Sequence, residues 1–223
     1  MNSYPMQDAR RPAFELSGAH PALDLVNTLD NRFAPGGPCE LLKDYGDLLR
    51  FALQTKLLQP AQARQLACHG EAAAAAHTLR AARELREALA ATFYAHLDGQ
   101  APAAADLRAL ERHFHAAYQH LELRWQSGGM SWQWGQGGQV QLPLWVLARA
   151  ASELVLSGAW ERVRACGAQT CRWLFLDTSK NHTRRWCNMK VCGNRMKARR
   201  FQARHAHARR GRRTRARPSA PVS

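Results

Sequence analysis

The chain has 223 residues and a hydrophobic content of 46%, which is enough for a real core together with a smaller appended module. The first residues carry several charges and no apolar block, so they do not predict a secretory signal peptide. The longest apolar run near the middle, residues 142–148, is far too short to span a bilayer. We therefore expect a soluble, cytoplasmic protein without a membrane partner.

The net charge of +15 is concentrated at one end of the chain. Residues 1–165 contain 16 basic and 16 acidic side chains, whereas residues 166–223 contain the other 16 basic side chains and a single acid, Asp177. A basic excess that is confined to one segment is typical of a protein that binds a polyanion. The alternative is a solvated basic tail that has no partner.

Apolar residues recur at intervals of three and four along much of the chain, which is the pattern of amphipathic helices. Proline marks some of the starts, because a residue without an amide hydrogen suits the first turn of a helix. Residues 1–18 lack this pattern and are predicted to be a flexible leader. We predict helical structure over residues 22–29, 41–58, 61–98, 102–117 and 144–156.

A different pattern occupies residues 120–144. Apolar and polar residues alternate in three segments: 121–125, 132–134 and 140–144. Alternation with a period of two predicts strands, so we expect a short antiparallel β-meander of three strands. Pro143 limits the last strand to an edge or to its end. The predicted fold class is α+β, with a mostly helical N-terminal domain over residues 19–158.

Four of the six cysteines form two matched pairs. Four residues separate Cys166 from Cys171, four separate Cys187 from Cys192, and 15 residues lie between the pairs. Two short cysteine turns around a spacer are typical of a structural zinc site, in which four thiolates complete a tetrahedral coordination sphere. A module of this size has too small a core to fold unaided, so metal binding would supply folding free energy.

Two other uses of the paired cysteines remain open. Disulfides would require an oxidising compartment, which the absence of a secretory signal disfavours. An iron–sulfur cluster or a redox role would employ the same thiolates, although the paired spacing favours zinc. Cys39 and Cys68 are isolated, and we interpret both as small buried or incidental thiols.

The residues around the cysteines predict a treble-clef-like or zinc-ribbon-like module over residues 160–204. An apolar, strand-like run follows the first cysteine pair, and a polar turn leads back toward the second pair. These two segments predict a hairpin between the pairs. We expect Phe175 and Trp186 to form the small apolar core around the metal.

A helix is predicted directly after the second cysteine pair. Asn194 is its expected cap, and Met196 and Phe201 are expected to pack inward. Beyond this helix, residues 205–223 contain almost no apolar side chains and cannot bury enough surface to fold alone. We predict that they form a disordered basic tail.

The sequence around the cysteines resembles the bacterial CGNR zinc-finger proteins. The similarity rests on the two cysteine pairs and on FLDTSKN at 175–181, RRWCNM at 184–189 and CGNRMK at 192–197. The stretch LDLVNT at 23–28 is similar to the opening of the larger ABATE domain that these proteins carry. The resemblance implies a zinc-binding and nucleic-acid-binding protein that acts as a stress-induced transcription regulator.

Basic residues of the C-terminal module are the candidate contacts to nucleic acid. They would pair with the phosphates of DNA, and the arginine-rich tail would add affinity that does not depend on base sequence. RNA is the alternative partner, because zinc modules and arginine-rich tails serve it equally well. The candidate residues are Arg172, Lys180, Arg184, Arg185, Lys190, Arg195, Lys197, Arg199 and Arg200.

A group of polar residues near the N-terminus could line a pocket for a small-molecule effector. These residues are Asp24, Asn27, Thr28, Asn31 and Arg32. The alternatives are a solvated helical face and a set of internal hydrogen bonds. The sequence contains no nucleophile elbow, phosphate loop, metal-hydrolase helix or dinucleotide fingerprint, so we do not expect an enzyme.

Overall fold

The computed structural model describes residues 11–69, 71–126, 128–135, 139–202 and 205. The helices of its body are α1 (Pro21–Asn27), α2 (Tyr45–Gln54), α3 (Pro60–His69), α4 (Ala72–Leu97), α5 (Ala104–Gln119) and α6 (Leu142–Val155). The strands are β1 (Leu29–Asp30), β2 (Cys39–Glu40), β3 (Leu121–Gln126), β4 (Gly129–Trp134), β5 (Val163–Ala165) and β6 (Leu174–Leu176). A further helix, α7, covers residues 194–202.

The strands form three antiparallel pairs, β1 with β2, β3 with β4 and β5 with β6. Together with the predominance of helices, these pairs confirm the predicted α+β class. Within the part of the chain that the structure describes, no helix combines the length and the apolar character needed to cross a membrane.

The long helix α4 is the central element of the body, and α1, α2, α5 and α6 pack around it. Leu85, Leu89 and Phe93 recur along α4 at intervals of four and are completely buried, as a core-facing helical stripe requires. Helix α2 adds Leu48 and Phe51 to the same cluster. Burying each of these side chains contributes about 1.5–3 kcal/mol, so packing rather than helix propensity holds the body together.

The β3–β4 hairpin forms as predicted, but the third strand of the predicted meander at 120–144 does not. Val140 lies in a turn, and α6 begins at Leu142 with Pro143 in its first turn. Proline has no amide hydrogen for a strand ladder, whereas the first turn of a helix needs none there. The prediction of a strand is therefore wrong, and the apolar residues Leu142 and Leu144 are buried in a helix.

The prediction of a flexible leader over residues 1–18 needs correction for its second half. The Gln54 side chain donates to Phe14 O at 2.6 Å and accepts from Phe14 N at 2.9 Å. The Phe14 ring meets the Phe51 ring edge to face, with 5.3 Å between the ring centres. Phe14 is thus tied to α2, and Gly18 donates to Asp24 of α1, so the second half of the leader contacts the body through both residues. Residues 1–10 lie outside the described residues.

The hairpin of the C-terminal module differs from the predicted one. β6 pairs with β5, which precedes the first cysteine pair, so the hairpin encloses that pair instead of lying between the two. Val163 and Leu174 are completely buried in the core of the body, and Leu176 is 8% exposed there. The module that was predicted to begin at residue 160 is therefore built into the body.

A pair of hydrogen bonds joins α1 to β6. Asn27 Nδ2 donates to Leu174 O, and Asn27 Oδ1 accepts from Leu174 N, each at 2.9 Å. Leu176 N donates to Gly18 O at 2.8 Å on the same side of β6. The Asn27 amide thus satisfies both backbone groups of Leu174 in place of a neighbouring strand.

Asp24 is a buried carboxylate in the first turn of α1. It is 6% exposed, and its Oδ1 accepts from Gly18 N at 2.7 Å. A Cβ atom on residue 18 would lie 2.8 Å from this oxygen, so the site requires glycine. Burial raises the pKa of Asp24 to about 6, and the hydrogen bond from Gly18 offsets this effect only in part.

The substitution Asp24→Asn should make the free energy of unfolding less dependent on pH. Folding raises the pKa of this carboxyl from 3.8 to about 6, so the wild-type chain loses stability as the pH rises through that range. Asparagine keeps an acceptor for Gly18 and cannot ionise. Relative to wild type, we expect the variant to gain about 2–3 kcal/mol between pH 4 and pH 7. Urea unfolding at several pH values measures this, and parallel profiles for the two proteins would contradict it.

Candidate metal centre

The four paired cysteines converge next to the β5–β6 hairpin. Their sulfur atoms all lie within 4.8 Å of one another. Cys187 Sγ is 3.6 Å from Cys171 Sγ and 3.7 Å from Cys192 Sγ. A disulfide bond requires about 2.05 Å between sulfurs, and all four thiols are free. Cys171 is half-buried, and the other three cysteines are buried.

This arrangement fits a tetrahedral metal ion. Zinc–sulfur bonds of about 2.3 Å place the sulfurs of a tetrahedral site roughly 3.8 Å apart. The separations of 3.6 Å and 3.7 Å are close to that value. Four thiolates leave no coordination position open for water or substrate, so a metal ion held here has a structural role.

The four sulfurs cannot all ionise unless a cation balances their charge. Hydrogen bonding with Cys166 raises the pKa of Cys171 to about 12 and also raises the pKa of Cys187. The pKa of Cys166 is lowered, because the thiols of Cys171 and Cys187 donate hydrogen bonds to its sulfur. Four thiolates this close together repel one another, and a bound cation would offset that repulsion and release protons from the thiols.

Backbone hydrogen bonds shape the turn that carries the first cysteine pair. Cys166 N donates to Trp173 O at 2.8 Å, and Cys171 N donates to Ala168 O at 2.9 Å. Arg172 follows with a φ of 51°, in the left-handed region, and turns the chain into β6. The first pair is therefore held by the hairpin that the body anchors.

Asn188 organises the second cysteine pair. Its side-chain oxygen accepts from Lys190 N at 2.9 Å and from Val191 N at 3.3 Å, as a helix cap does. A wide helical turn over Met189–Gly193 then runs directly into α7. The prediction that Asn194 caps this helix is wrong, because Asn194 already has helical angles of φ −66° and ψ −41°.

Apolar side chains cover one side of the cysteine cluster. Phe175 is completely buried beside it, and Trp186 and Met196 pack against it, which agrees with the predicted core. Phe201 is 64% exposed, so the prediction that it packs inward is wrong. It lies five residues beyond Met196, about 7.5 Å further along the helix and away from this small cluster.

Asp177 has a structural role that its place in a polar turn did not predict. Its carboxylate accepts from Ser179 N at 3.0 Å, from Ser179 Oγ at 2.6 Å and from Arg184 N at 3.0 Å. Asp177 is completely buried. Burial alone would raise its pKa, but these hydrogen bonds outweigh burial and lower the pKa. The only signal in the sequence was a lone acid within a basic segment.

Further hydrogen bonds join the module to the body around the cluster. Trp173 Nε1 donates to Asp30 Oδ1 at 2.9 Å. The Tyr94 hydroxyl donates to Arg172 O, also at 2.9 Å. Because these bonds come from β1 and from α4, the cysteine cluster is fixed relative to two elements of the body.

Three residues of the predicted ligand pocket are used inside the protein. Asn27 binds β6 and Asp24 binds the Gly18 amide, as described above. The Thr28 hydroxyl donates to Leu25 O at 2.6 Å. Internal hydrogen bonding, one of the alternatives that the sequence left open, accounts for these contacts.

The other two residues of that predicted pocket lie beyond α1, and Asn31 is exposed whereas Arg32 is half-buried. Arg32 forms an ion pair with Glu87 of α4. Asn31 is exposed and lines a cavity of about 140 Å³ at the junction of body and module, together with Asp30 and Trp173. A ligand pocket at Asn31 stays a prediction.

Two of the nine predicted nucleic-acid contacts are engaged by the protein itself. Arg184 donates from Nε to Trp186 O at 2.9 Å and from Nη2 to Ser17 O at 3.1 Å. The Arg172 guanidinium lies 4.9 Å from the centre of the Phe33 ring. Both residues are half-buried, and these contacts engage their guanidinium groups within the protein, so their contact with nucleic acid stays a prediction. The other seven are exposed: Lys180, Arg185, Lys190, Arg195, Lys197, Arg199 and Arg200.

The fold and the site together define a class of protein, a helical body with a four-cysteine metal-binding module joined to it. Residues 19–158 match the ABATE family, described as "Putative stress-induced transcription regulator", and residues 162–205 match the CGNR zinc finger. The chain belongs to the ABATE family and carries a C-terminal CGNR zinc finger, as its sequence resemblance implied. No curated protein matches the chain.

Proposed function

We propose that the chain is a transcription regulator that holds one structural zinc ion and binds duplex DNA through its C-terminal module. The zinc ligands are Cys166, Cys171, Cys187 and Cys192, whose sulfur separations fit this ion. The metal joins the two cysteine turns and supplies no chemistry of its own. The protein thus acts by binding and not as an enzyme.

The charge of the surface around the cysteine cluster carries this proposal. Residues 166–223 contain 16 basic side chains and one acid. That acid, Asp177, is completely buried and bonded internally. Among its described residues, this segment therefore exposes cations and no anion of its own. Such a surface attracts phosphates and releases their counterions on binding.

Helix α7 presents part of this charge in a regular arrangement. Arg195 and Arg199 lie one helical turn apart on the same side, and both are exposed. Lys197 and Arg200 are exposed on the same helix. A short basic helix held by a rigid base has the dimensions to approach a DNA groove, with its arginines beside the phosphates.

The double substitution Arg195→Ala and Arg199→Ala should weaken duplex binding and reduce its dependence on salt. Removing two phosphate contacts lowers the slope of log affinity against log salt concentration by roughly two. Fluorescence anisotropy of a labelled duplex over a series of salt concentrations measures both effects. The matched control, Arg64→Ala with Arg80→Ala, removes two exposed arginines of the body and should leave the slope unchanged. An equal loss in both variants would show that the module is not the binding surface.

Competition between nucleic acids tests the choice of DNA over RNA. Unlabelled duplex DNA should displace the labelled duplex at least as effectively as structured RNA does at the same salt concentration. If RNA displaces it at concentrations lower by orders of magnitude, the proposal of a transcription regulator fails. The basic module would then be an RNA-binding surface.

A further inference from the structure

The β3–β4 hairpin carries an apolar face whose residues come from both strands. The strand register opposes three apolar pairs: Leu121 with Trp134, Leu123 with Trp132, and Trp125 with Met130. Directly opposed residues share a face of an antiparallel pair, as do alternate residues along each strand. All six side chains therefore lie on one face of the hairpin.

Only the base of this face is covered by the body. Leu121 is 9% exposed, and the Trp134 ring stacks on Trp145 of α6 with 6.5 Å between the ring centres. The exposed fractions rise toward the tip: Leu123 55%, Trp132 50%, Met130 68% and Trp125 71%. Four large apolar side chains in two adjacent pairs form a continuous patch, which differs from singly exposed apolar residues.

The opposite face of the hairpin is polar. Its residues are Glu122, Arg124, Gln126, Ser131 and Gln133. Arg124 pairs with Glu122, so the charges on this face are already balanced. A two-stranded hairpin is marginally stable by itself, and covering its apolar face would stabilise it.

We propose that this apolar face is a homodimer interface, at which the hairpins of two copies pack face to face about a twofold axis. A twofold axis allows one patch to cover an identical patch, so no second type of surface is needed. The exposed fractions of Trp125 and Trp132 correspond to roughly 300 Å² in each copy. With Leu123 and Met130, complete coverage of the four side chains in two copies would bury about 1,000 Å², the least that a biological interface is expected to bury.

The distribution of charge favours a second copy as the occupant of this face. Residues 1–165 contain equal numbers of basic and acidic side chains, so two bodies carry no net charge that would separate them. The whole excess of +15 belongs to residues 166–223. A neutral apolar patch attracts neither phosphate nor an oppositely charged protein. Dimerisation through this patch does not depend on whether the C-terminal module binds DNA.

Sedimentation equilibrium of the nuclease-treated full-length protein at high salt tests the interface. The wild-type chain should have twice its mass of 25.0 kDa, and high salt should not dissociate it, since apolar contacts hold the dimer. The double substitution Trp125→Lys and Met130→Lys should weaken dimerisation at least about 100-fold, because buried, unpaired charges are strongly unfavourable. Gln126→Lys with Ser131→Lys adds the same charge to the polar face and should leave the dimer intact.

Several outcomes would overturn the interface. The wild-type chain could remain a monomer over the whole concentration range, or the dimer could persist in the Trp125→Lys, Met130→Lys variant. A monomer whose hairpin inserts into phosphatidylcholine vesicles would assign the face to lipid instead. Circular dichroism of both variants checks that they are folded. Duplex binding is measured on the monomeric variant as well. This measurement tests the proposed function, whereas sedimentation tests the interface, so the failure of one can be told from the failure of the other.

Discussion

Replacing Cys187 with serine should release the metal and destabilise the whole chain, not the C-terminal module alone. The three remaining thiolates would leave one coordination position open. Because β6 places Leu174 and Leu176 in the core of the body, a loosened cluster frees side chains on which the body depends. Metal binding contributes several kcal/mol, so we expect the melting temperature to fall by about 10 °C or more.

Metal content per chain and the helical circular dichroism signal on heating measure this effect together. The helical signal should melt in one transition, at a lower temperature than in the wild-type protein. Cys68→Ser is the matched control, because Cys68 is an exposed thiol outside the cluster and should affect neither quantity. Two results would contradict the assignment, namely a Cys187→Ser protein that keeps a full equivalent of zinc, or a body that melts as in wild type.

Replacing Asn27 with alanine should be about as damaging as losing the metal. The Leu174 amide and carbonyl that Asn27 satisfies are buried and would be left without partners. Each unsatisfied backbone group costs about 1–3 kcal/mol, so we expect a total loss of roughly 3–5 kcal/mol. Urea denaturation measures the loss, and Asn181→Ala is the control, because Asn181 is exposed.

Asn27→Asp separates the two hydrogen bonds. An aspartate can accept from Leu174 N, but it must be protonated before it can donate to Leu174 O. The stability of this variant should therefore recover as the pH falls, because folding raises the pKa of the new carboxyl. An Asn27→Ala protein as stable as wild type, or an Asn27→Asp protein whose deficit does not change with pH, would contradict the role of Asn27.

Periodicity predicted the body well because its helices are amphipathic and pack on one core. Leu85, Leu89 and Phe93 show the required spacing in the sequence and the required burial in the structure. The same kind of pattern failed at residues 140–144, where alternation is compatible both with a strand and with the start of a buried helix. Residues 142–144 are helical because α6 packs against the body, and the local sequence does not encode such packing.

The cysteine cluster could be predicted because short spacing within each pair largely determines which sulfurs can meet. The anchoring of the module could not, since Asn27 and Leu174 are 147 residues apart. The group of polar residues near the N-terminus included Asn27, but the sequence did not reveal that Leu174 is the hydrogen-bond partner. Arg184 and Arg185 are equivalent in sequence, yet the first donates to backbone carbonyls and the second is exposed. Only the folded chain distinguishes them.

The two hydrogen bonds between Asn27 and Leu174 also mean that the body cannot finish folding until β6 has been synthesised. Leu174 follows Asn27 by 147 residues, which take roughly 7–30 s to translate at common ribosomal speeds, so α1 is made well before its partner β6. The last two cysteines emerge later still. The nascent chain therefore completes its interior late, and the proposed metal ion could be held by all four cysteines only after that step. Until then, apolar side chains of α1 that are buried in the folded protein, such as Leu23 and Leu25, would be exposed to proteases.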